Sequence, residues 1–370
     1  MQSAQPVPQQ AYYPPPDPSS IQHQVQTLPN IVAGYKKGLR GIILRIVIAA
    51  VIFRVIVEVV ASSIMGGGLF LDGTVTRLAS LASTDFDEYA RQLMWTLQNN
   101  DYIGWGSVAG VVLAVPVFLM VRGKKLFTKD LTRVGERINP LAFCKMLALV
   151  LGIGSIATFF MLFLSFVLGL FDFNLPSMFM PDLTPYLSIG GILYAVIFGP
   201  IIEEIVFRGA ILRSLQPYGT NFALVLSSLL FGMYHLFLFQ ATYAFFMGLV
   251  LAYCTLRFSI KWSMLIHILN NGVSMLLLYL GVSLAVDVGI SCLFIALAVV
   301  AGIAGLQEFR RQKGEGKLTS ITFTDGMPAG AGVPAVAVAP STPYKIAFSS
   351  PWLIVLLTLA FLLGILFLLL

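Results

Sequence analysis

Two glutamates and two histidines lie inside stretches of the chain that are otherwise strongly apolar. Glu203 and Glu204 are adjacent in one such stretch, and His235 and His267 lie in two later ones. Glutamate and histidine are costly at membrane depth, so they usually face the interior of a helical bundle and mark a functional site. A carboxylate in a water-poor cavity is suited to act as a general base, and amide hydrolysis needs such a base close to a water molecule. These four residues are therefore the first candidates for chemistry.

The spacing around the two glutamates separates their roles. Glu204 and Arg208 are four residues apart and can form an ion pair on one helical face. Glu203 points about 100° away from Glu204 on a helix, so it is free for another partner. Pro200 removes one backbone hydrogen bond and should kink the helix just before the glutamates. The alternative, that both glutamates snorkel to the membrane surface, is disfavoured because apolar sequence continues to Leu215.

The two histidines come with other candidate residues at helical spacing. His235 is four residues after Phe231, and His267 is four residues before Asn271, which places His267 and Asn271 on one helical face. A single buried histidine is more often a packed residue than a ligand or a base. Two of them, together with a free carboxylate and an asparagine, argue against that interpretation.

Helix lengths indicate whether these residues can meet. If the chain turns near residues 217–220, Glu203 and His235 each lie about 15 residues from the turn, or roughly 22 Å along their helices. They then lie at one depth. His267 comes only a few residues into its own span, which places it roughly 10 Å nearer the cytoplasmic face. A single site therefore requires the helix that carries His267 to tilt, or the preceding helix to be short.

The rest of the sequence predicts the helices that must position these residues. Of the 370 residues, 58% are hydrophobic and 11% are charged, and the mean hydropathy is +0.87. Apolar runs of about 20 residues, each enough to cross a ~30 Å hydrocarbon core as a helix, recur along the chain. We expect an all-α, polytopic transmembrane bundle with about eight core spans and a C-terminal span, because the runs are continuous rather than alternating. The predicted spans are 41–65, 103–121, 146–171, 186–207, 221–239, 243–258, 263–281, 284–306 and 351–370.

Charges outside the spans set the expected orientation. Basic residues precede the first span and fill the segment 122–137, whereas the loop 66–102 carries five acidic residues against two basic ones. Basic residues gather on the cytoplasmic side of membrane proteins. The N-terminus and residues 122–137 should therefore be cytoplasmic, and residues 66–102 should lie outside. The same clustering explains the net charge of +6 without nucleic acid as a partner.

One pair of opposite charges lies inside the first predicted span. Arg54 and Glu58 are four residues apart and can pair on one helical face, and Arg45 lies in the same span. Because charges within a membrane generally pair with one another, we interpret Arg54 and Glu58 as an ion pair packed against the bundle.

The motifs together resemble those of one intramembrane protease family. That family contains the type II CAAX prenyl proteases and the bacterial bacteriocin-processing or self-immunity (CPBP, Abi) proteins, and its pattern is E-E-x-x-x-R, then F-x-x-x-H, then H-x-x-x-N. Each motif alone is weak, but the three occur here in order, on successive predicted spans. The resemblance covers roughly residues 185–281. The matching residues are Glu203, Glu204, Arg208, Phe231, His235, His267 and Asn271.

The resemblance implies roles for these residues. Glu203 would activate the hydrolytic water, and Asn271 would face the developing oxyanion. His235 and His267 would position the water or share its proton. The implied catalytic residues are Glu203, His235, His267 and Asn271, and the supporting ones are Glu204, Arg208 and Phe231.

The sequence leaves the use of a metal open. His235, His267 and Glu203 form a plausible set of three zinc ligands with one open position. The H-E-x-x-H helix of soluble metalloproteases is absent, so no motif implies zinc. A glutamate-activated water that requires no cofactor is the favoured interpretation, and zinc is the alternative.

The leading hypothesis is an intramembrane endopeptidase that hydrolyses a peptide bond of a membrane-associated protein or peptide, of the CAAX type or the bacteriocin/leader type. The alternative is a non-enzymatic membrane scaffold or a bacteriocin self-immunity protein. A transporter with a Glu/His proton relay is a third class, disfavoured by the absence of an internal inverted repeat. The expected partners are the lipid bilayer and a protein or peptide, in a bacterial plasma membrane.

Composition and resemblance together divide the chain into segments. A Gln/Pro-rich tail without apolar periodicity should be disordered, and a Gly/Ala/Pro-rich stretch should act as a linker before the last span. The predicted segments are a disordered tail at 1–35, a membrane-embedded domain at 36–306 with a protease-like core at about 141–306 and motifs at 199–271, a basic segment and linker at 307–349, and a C-terminal anchor at 350–370.

Overall fold

The computed structural model describes residues 18–172, 187–315 and 341–369, and within these ranges the regular structure is helical. Helices α4 and α6 each include short turns of tighter or wider winding. The helices in chain order are α1 (Pro18–Leu71), α2 (Thr74–Thr84), α3 (Phe86–Asn99), α4 (Tyr102–Arg122), α5 (Pro140–Gly169), α6 (Ile189–Tyr218), α7 (Thr220–Tyr234), α8 (Leu238–Arg257), α9 (Ile260–Tyr279), α10 (Leu284–Gly314), α11 (Thr342–Phe348) and α12 (Pro351–Leu369).

Six helices among the described residues are long and apolar enough to cross a membrane, namely α4, α5, α6, α8, α9 and α10. Helices α11 and α12 meet at a bend of 64° and make a seventh if they are taken as one span. The predicted all-α, polytopic bundle is therefore confirmed. The spans expected at 41–65 and 221–239 are not among these candidates. Helix α7 has 15 residues, or about 22 Å, which is shorter than a ~30 Å hydrocarbon core.

The N-terminal part of the chain differs from its prediction. Helix α1 begins at Pro18, so residues 18–35 are helical where the sequence predicts a disordered tail. Extending an existing helix costs far less than starting one, and the apolar part of α1 supplies the start. Residues 1–17 lie outside the described residues, as do residues 316–340 of the predicted linker, while residues 342–348 of that linker form α11.

Small residues let α1 and α4 pack closely. Gly106 and Gly110 face α1, where an added Cβ would lie 2.8 Å from the carbonyl oxygen of Ala61 and 2.9 Å from that of Val57. Membrane helices use small residues four apart to bring their backbones together. Helix α5 packs along α10 in turn, and α7 packs along α8.

Helix α6 lies at the centre of the bundle, where it contacts α4, α7, α8 and α9. Its winding is irregular, since π-helical turns at Tyr194–Phe198 and Ile205–Leu212 flank the α-helical piece Gly199–Glu204. Such π-helical turns occur frequently at functional sites. Glu203 and Glu204 therefore lie at the junction of an α-helical and a π-helical segment in the middle of the protein.

Candidate active site

Glu204 and Arg208 form an ion pair in the interior of the bundle. Nη1 of Arg208 lies 3.0 Å from Oε1 of Glu204, and both side chains are fully buried. Nη2 of Arg208 donates a hydrogen bond to the carbonyl oxygen of Gly248 at 3.3 Å. The guanidinium also lies 4.2 Å from the ring centroid of Phe231. Buried charges require such partners, and here they connect α6 to α7 and α8.

His267 lies between the two glutamates. Its Nδ1 is 3.2 Å from Oε1 of Glu204, and its Nε2 is 3.6 Å from Oε2 of Glu203. The imidazole is buried, with 2% of its side chain exposed. A protonated ring would therefore face a carboxylate on each side, while Arg208 balances the charge of Glu204. The structure brings Glu203 and His267 together as the motifs predict.

The turn between α8 and α9 is packed against another part of the chain. The prediction from helix lengths places the start of α9 at the membrane surface. In the structure, residues 123–138 cover this turn, and the backbone N–H of Glu136 donates to the carbonyl oxygen of Arg257 at 2.9 Å. Ile260, the first residue of α9, is only 2% exposed. The first residue of α9 is thus buried, whereas Lys261 and Trp262 after it are exposed, and α8, with 20 residues, is not short.

His235 follows the last residue of α7 and packs on the same aromatic ring as His267. Nδ1 of His235 is 2.9 Å from the carbonyl oxygen of Phe231. A carbonyl oxygen only accepts, so Nδ1 carries the hydrogen, and Nε2 of the neutral ring is free to accept. The Phe231 ring meets both imidazoles edge-on, with centroids 4.9 Å from His235 and 5.8 Å from His267. His235 also lies within electrostatic range of Glu203.

Asn271 joins α9 to the first π-helical turn of α6. Its Nδ2 donates to the carbonyl oxygen of Ala195 at 2.9 Å, and its Oδ1 accepts from Nδ2 of Asn270 at 3.0 Å. Asn270 also donates to the hydroxyl of Tyr243 at 2.6 Å. Neither Asn270 nor Tyr243 is a candidate from the sequence, and the only signal for Asn270 is its place beside Asn271. One N–H of the Asn271 side-chain amide thus holds α9 against α6.

A cavity of about 300 Å³ lies beside Glu203, and its walls are otherwise almost entirely apolar. Glu203 has 16% of its side chain exposed, whereas Glu204 has none. The other polar lining residues are Arg54 and Tyr234, which the sequence does not identify as site residues. The sequence gives only weak indications that these two residues belong to a site. Arg54 is a charge in an apolar span, and Tyr234 is the residue before His235. Of the two adjacent glutamates, Glu203 is therefore the one that a ligand can reach.

Three of the four ring nitrogens of His235 and His267 have a neighbouring acceptor. Nδ1 of His235 faces a backbone carbonyl, and the two nitrogens of His267 face separate carboxylates, those of Glu203 and Glu204. Within the described ranges, no group of three or more His, Cys, Asp or Glu side chains is arranged to hold a metal ion. The zinc alternative therefore stays a prediction.

Comparison with protein families identifies the segment that carries these residues. Residues 185–273 match the family model described as "Type II CAAX prenyl endopeptidase Rce1-like". The match covers about a quarter of the chain and includes every motif residue from Glu203 to Asn271. Comparisons with curated proteins and with solved structures give no match. Residues 185–273, the Rce1-like segment, are therefore similar to that family, and the other three-quarters of the chain lie outside the match.

Proposed function

We propose that this integral membrane protein is an endopeptidase that hydrolyses a peptide bond of a membrane-associated protein or peptide, with Glu203 as the general base. One observation carries the proposal. Glu203 lines an apolar cavity and lies 3.6 Å from His267, while its neighbour Glu204 is fully buried against Arg208. A base must be reachable by water and substrate, and among the two glutamates only Glu203 meets that requirement.

In the proposed reaction, Glu203 takes a proton from a water molecule as the water oxygen attacks the carbonyl carbon of the substrate. The carbonyl oxygen becomes an oxyanion in the tetrahedral intermediate. When the intermediate collapses, the C–N bond breaks and the proton held by Glu203 passes to the leaving amine. The reaction thus consumes one water and needs no metal or cofactor.

The surrounding residues have distinct tasks in this proposal. Glu204 and Arg208 fix His267, whose Nε2 then orients the carboxylate of Glu203 and the water beside it. Asn271 has two amide N–H groups. One donates to the carbonyl oxygen of Ala195, and the other is assigned to the oxyanion. His235, held through Nδ1, presents its Nε2 to the water.

The proposed substrates are CAAX-type protein tails and leader-type peptides, and the family match and the apolar cavity support the former. A non-enzymatic scaffold or a bacteriocin self-immunity protein remains the alternative, because family-type motifs alone do not prove turnover. The two proposals differ in what they require of Glu203. A scaffold needs only the fold, whereas a protease needs the carboxylate itself.

The test compares membranes from cells that produce the natural chain or the Glu203→Gln variant, with protein C-termini identified by mass spectrometry. New C-termini should be generated by the natural chain and should fall by about 100- to 10,000-fold with Glu203→Gln, the usual contribution of a general base. Glu308→Gln is the matched control, since Glu308 lies on α10 and pairs with the exposed Arg311 at 2.9 Å. Identical C-termini from all three chains would leave the scaffold as the better proposal.

The proposed location is a bacterial plasma membrane with a cytoplasmic N-terminus. This orientation puts the basic segment 122–137 inside and the acidic segment 66–102 outside. A cysteine introduced at Asp87 should react with an impermeant maleimide in intact cells, and one introduced at Lys125 should not. The reverse labelling pattern would invert the orientation.

A further inference from the structure

The cavity beside Glu203 is built largely by elements outside the Rce1-like segment. Its apolar lining comes from α1, α6 and α7, with Phe118 of α4, and from the C-terminal helix α12 through Leu356, Leu359 and Ala360. Helix α12 is held in place by Leu353, which is 1% exposed, and α11 by the ring of Tyr344 against Phe222 at 5.2 Å. The cavity is therefore a built pocket whose walls include both ends of the described chain.

Arg54 of α1 places a cation, paired with Glu58, on the wall of this apolar pocket. Its guanidinium lies 5.7 Å from the ring centroid of Tyr234, which also lines the cavity and precedes His235. The Tyr234 hydroxyl accepts a hydrogen bond from Arg54, and Glu203 and Glu58 both lie within electrostatic range of Tyr234. The pocket thus has a cation and a general base on its wall, with an aromatic ring near both.

The ion pair with Glu58 does not occupy Arg54 completely. Nη2 of Arg54 is 2.6 Å from Oε1 of Glu58, but the two side chains are 43% and 55% exposed. Within the described part of the chain, this is the only ion pair of Arg54. Arginine has five N–H donors, so others remain beyond those that face Glu58 and Tyr234. A charged pair left this exposed on an apolar helix is not explained by packing, since charges at membrane depth are normally enclosed.

We propose that Arg54 is a specificity-determining residue that binds the free C-terminal carboxylate of the substrate, while the apolar side chains before it fill the cavity. This inference rests on the proposed function and specifies its substrate. Arg54 attracts a carboxylate and Glu203 repels one, so the carboxylate is held at Arg54 and a peptide bond several residues before it is directed to Glu203. The volume of about 300 Å³ lies at the lower end of the range for ligand pockets, which suits a few apolar side chains.

The test measures binding to the full chain in nanodiscs, with Glu203→Gln in every sample to prevent cleavage. The probes are two fluorescent peptides with the sequence Ala-Val-Ile-Leu, one ending in a carboxylate and one in an amide. The carboxylate peptide should bind about tenfold tighter or more, the usual effect of a charge-assisted hydrogen bond. Arg54→Gln should abolish this preference. The double variant Arg54→Gln/Glu58→Gln should abolish it equally, which excludes repulsion by an unpaired Glu58 as the cause.

Two controls make the result specific. Arg45→Gln removes a cation from the same helix that does not line the cavity, and it should leave the preference unchanged. Dodecanoate, which has a carboxylate but no peptide bond, should displace the peptide more weakly than an unlabelled copy of it. Equal binding of both peptides, binding of neither, or stronger binding of dodecanoate would each overturn the role of Arg54.

This experiment can contradict the role of Arg54 without contradicting the proposed function. If the natural chain generates new C-termini but the chain shows no preference for the carboxylate peptide, the endopeptidase function is supported and the role of Arg54 is contradicted. If the carboxylate peptide is preferred but Glu203→Gln changes no C-termini, the pocket binds carboxylates and the endopeptidase function is contradicted.

Discussion

Two glutamate–arginine pairs, each four residues apart on an apolar helix, have opposite surroundings in this protein. Glu204 and Arg208 are both fully buried, while Arg54 and Glu58 are 43% and 55% exposed. Their separations are similar, 3.0 Å and 2.6 Å. The spacing therefore produces the same local contact in both helices. What differs is enclosure, and enclosure decides whether a pair stabilises the bundle or remains accessible to a ligand.

The largest effect is expected from breaking the buried pair. Glu204→Ala leaves Arg208 charged in the interior and removes the partner of Nδ1 of His267, so it should destabilise the fold by ~3–5 kcal/mol. Thermal unfolding in detergent should show a lower Tm, and the yield of folded protein should fall. Glu203→Gln is the control and should leave the Tm unchanged. Equal stability of the two variants would contradict the division of roles between these glutamates.

A smaller loss of stability is expected when the buried Arg208 is replaced by lysine. Arg208→Lys keeps the charge but loses the planar group that bonds the carbonyl oxygen of Gly248 and stacks on Phe231. The free energy of unfolding should fall by about 1–3 kcal/mol. Arg54→Lys, at the exposed pair, should change stability by less than about 1 kcal/mol. If both substitutions had the same effect on Tm, enclosure would not distinguish the pairs.

Crowding the buried pair without altering a charge is a further test. A Cβ on Gly248 would lie 3.1 Å from Cβ of Ser228, 3.2 Å from Cδ1 of Phe231 and 3.3 Å from Nη2 of Arg208. Gly248→Ala should therefore destabilise the protein by about 1–3 kcal/mol through overpacking. The control is Gly305→Ala on α10, where an added Cβ has no neighbour within 4 Å. That variant should be neutral or gain up to about 1 kcal/mol of helix propensity.

The smallest change in stability is expected at the exposed pair. The double variant Arg54→Gln/Glu58→Gln removes both charges, and because both are more than one-third exposed, stability should shift by less than about 1 kcal/mol. Peptide binding in the same samples should nevertheless lose its preference for a free carboxylate. A drop in Tm as large as that of Glu204→Ala would make the Arg54–Glu58 pair structural.

The sequence by itself determined the features that depend on local periodicity. Continuous apolar runs predict membrane helices, and a four-residue spacing predicts the pairs of Glu204 with Arg208 and of Arg54 with Glu58. The 100° turn between neighbours on a helix predicts that Glu204, and not Glu203, points towards Arg208. All of these are present, because a helix positions neighbouring side chains in the same way wherever it lies.

Only the tertiary structure decided depth, enclosure and access. His267 of α9 lies against Glu203 of α6, and Asn271 bonds to Ala195 in a π-helical turn of α6. Helix α12 and the apolar part of α1 form a cavity wall although they lie far apart in the chain. Exposure of the Arg54 pair and burial of the Arg208 pair likewise result from these neighbours. Such contacts join residues that are distant in sequence, so no local pattern encodes them.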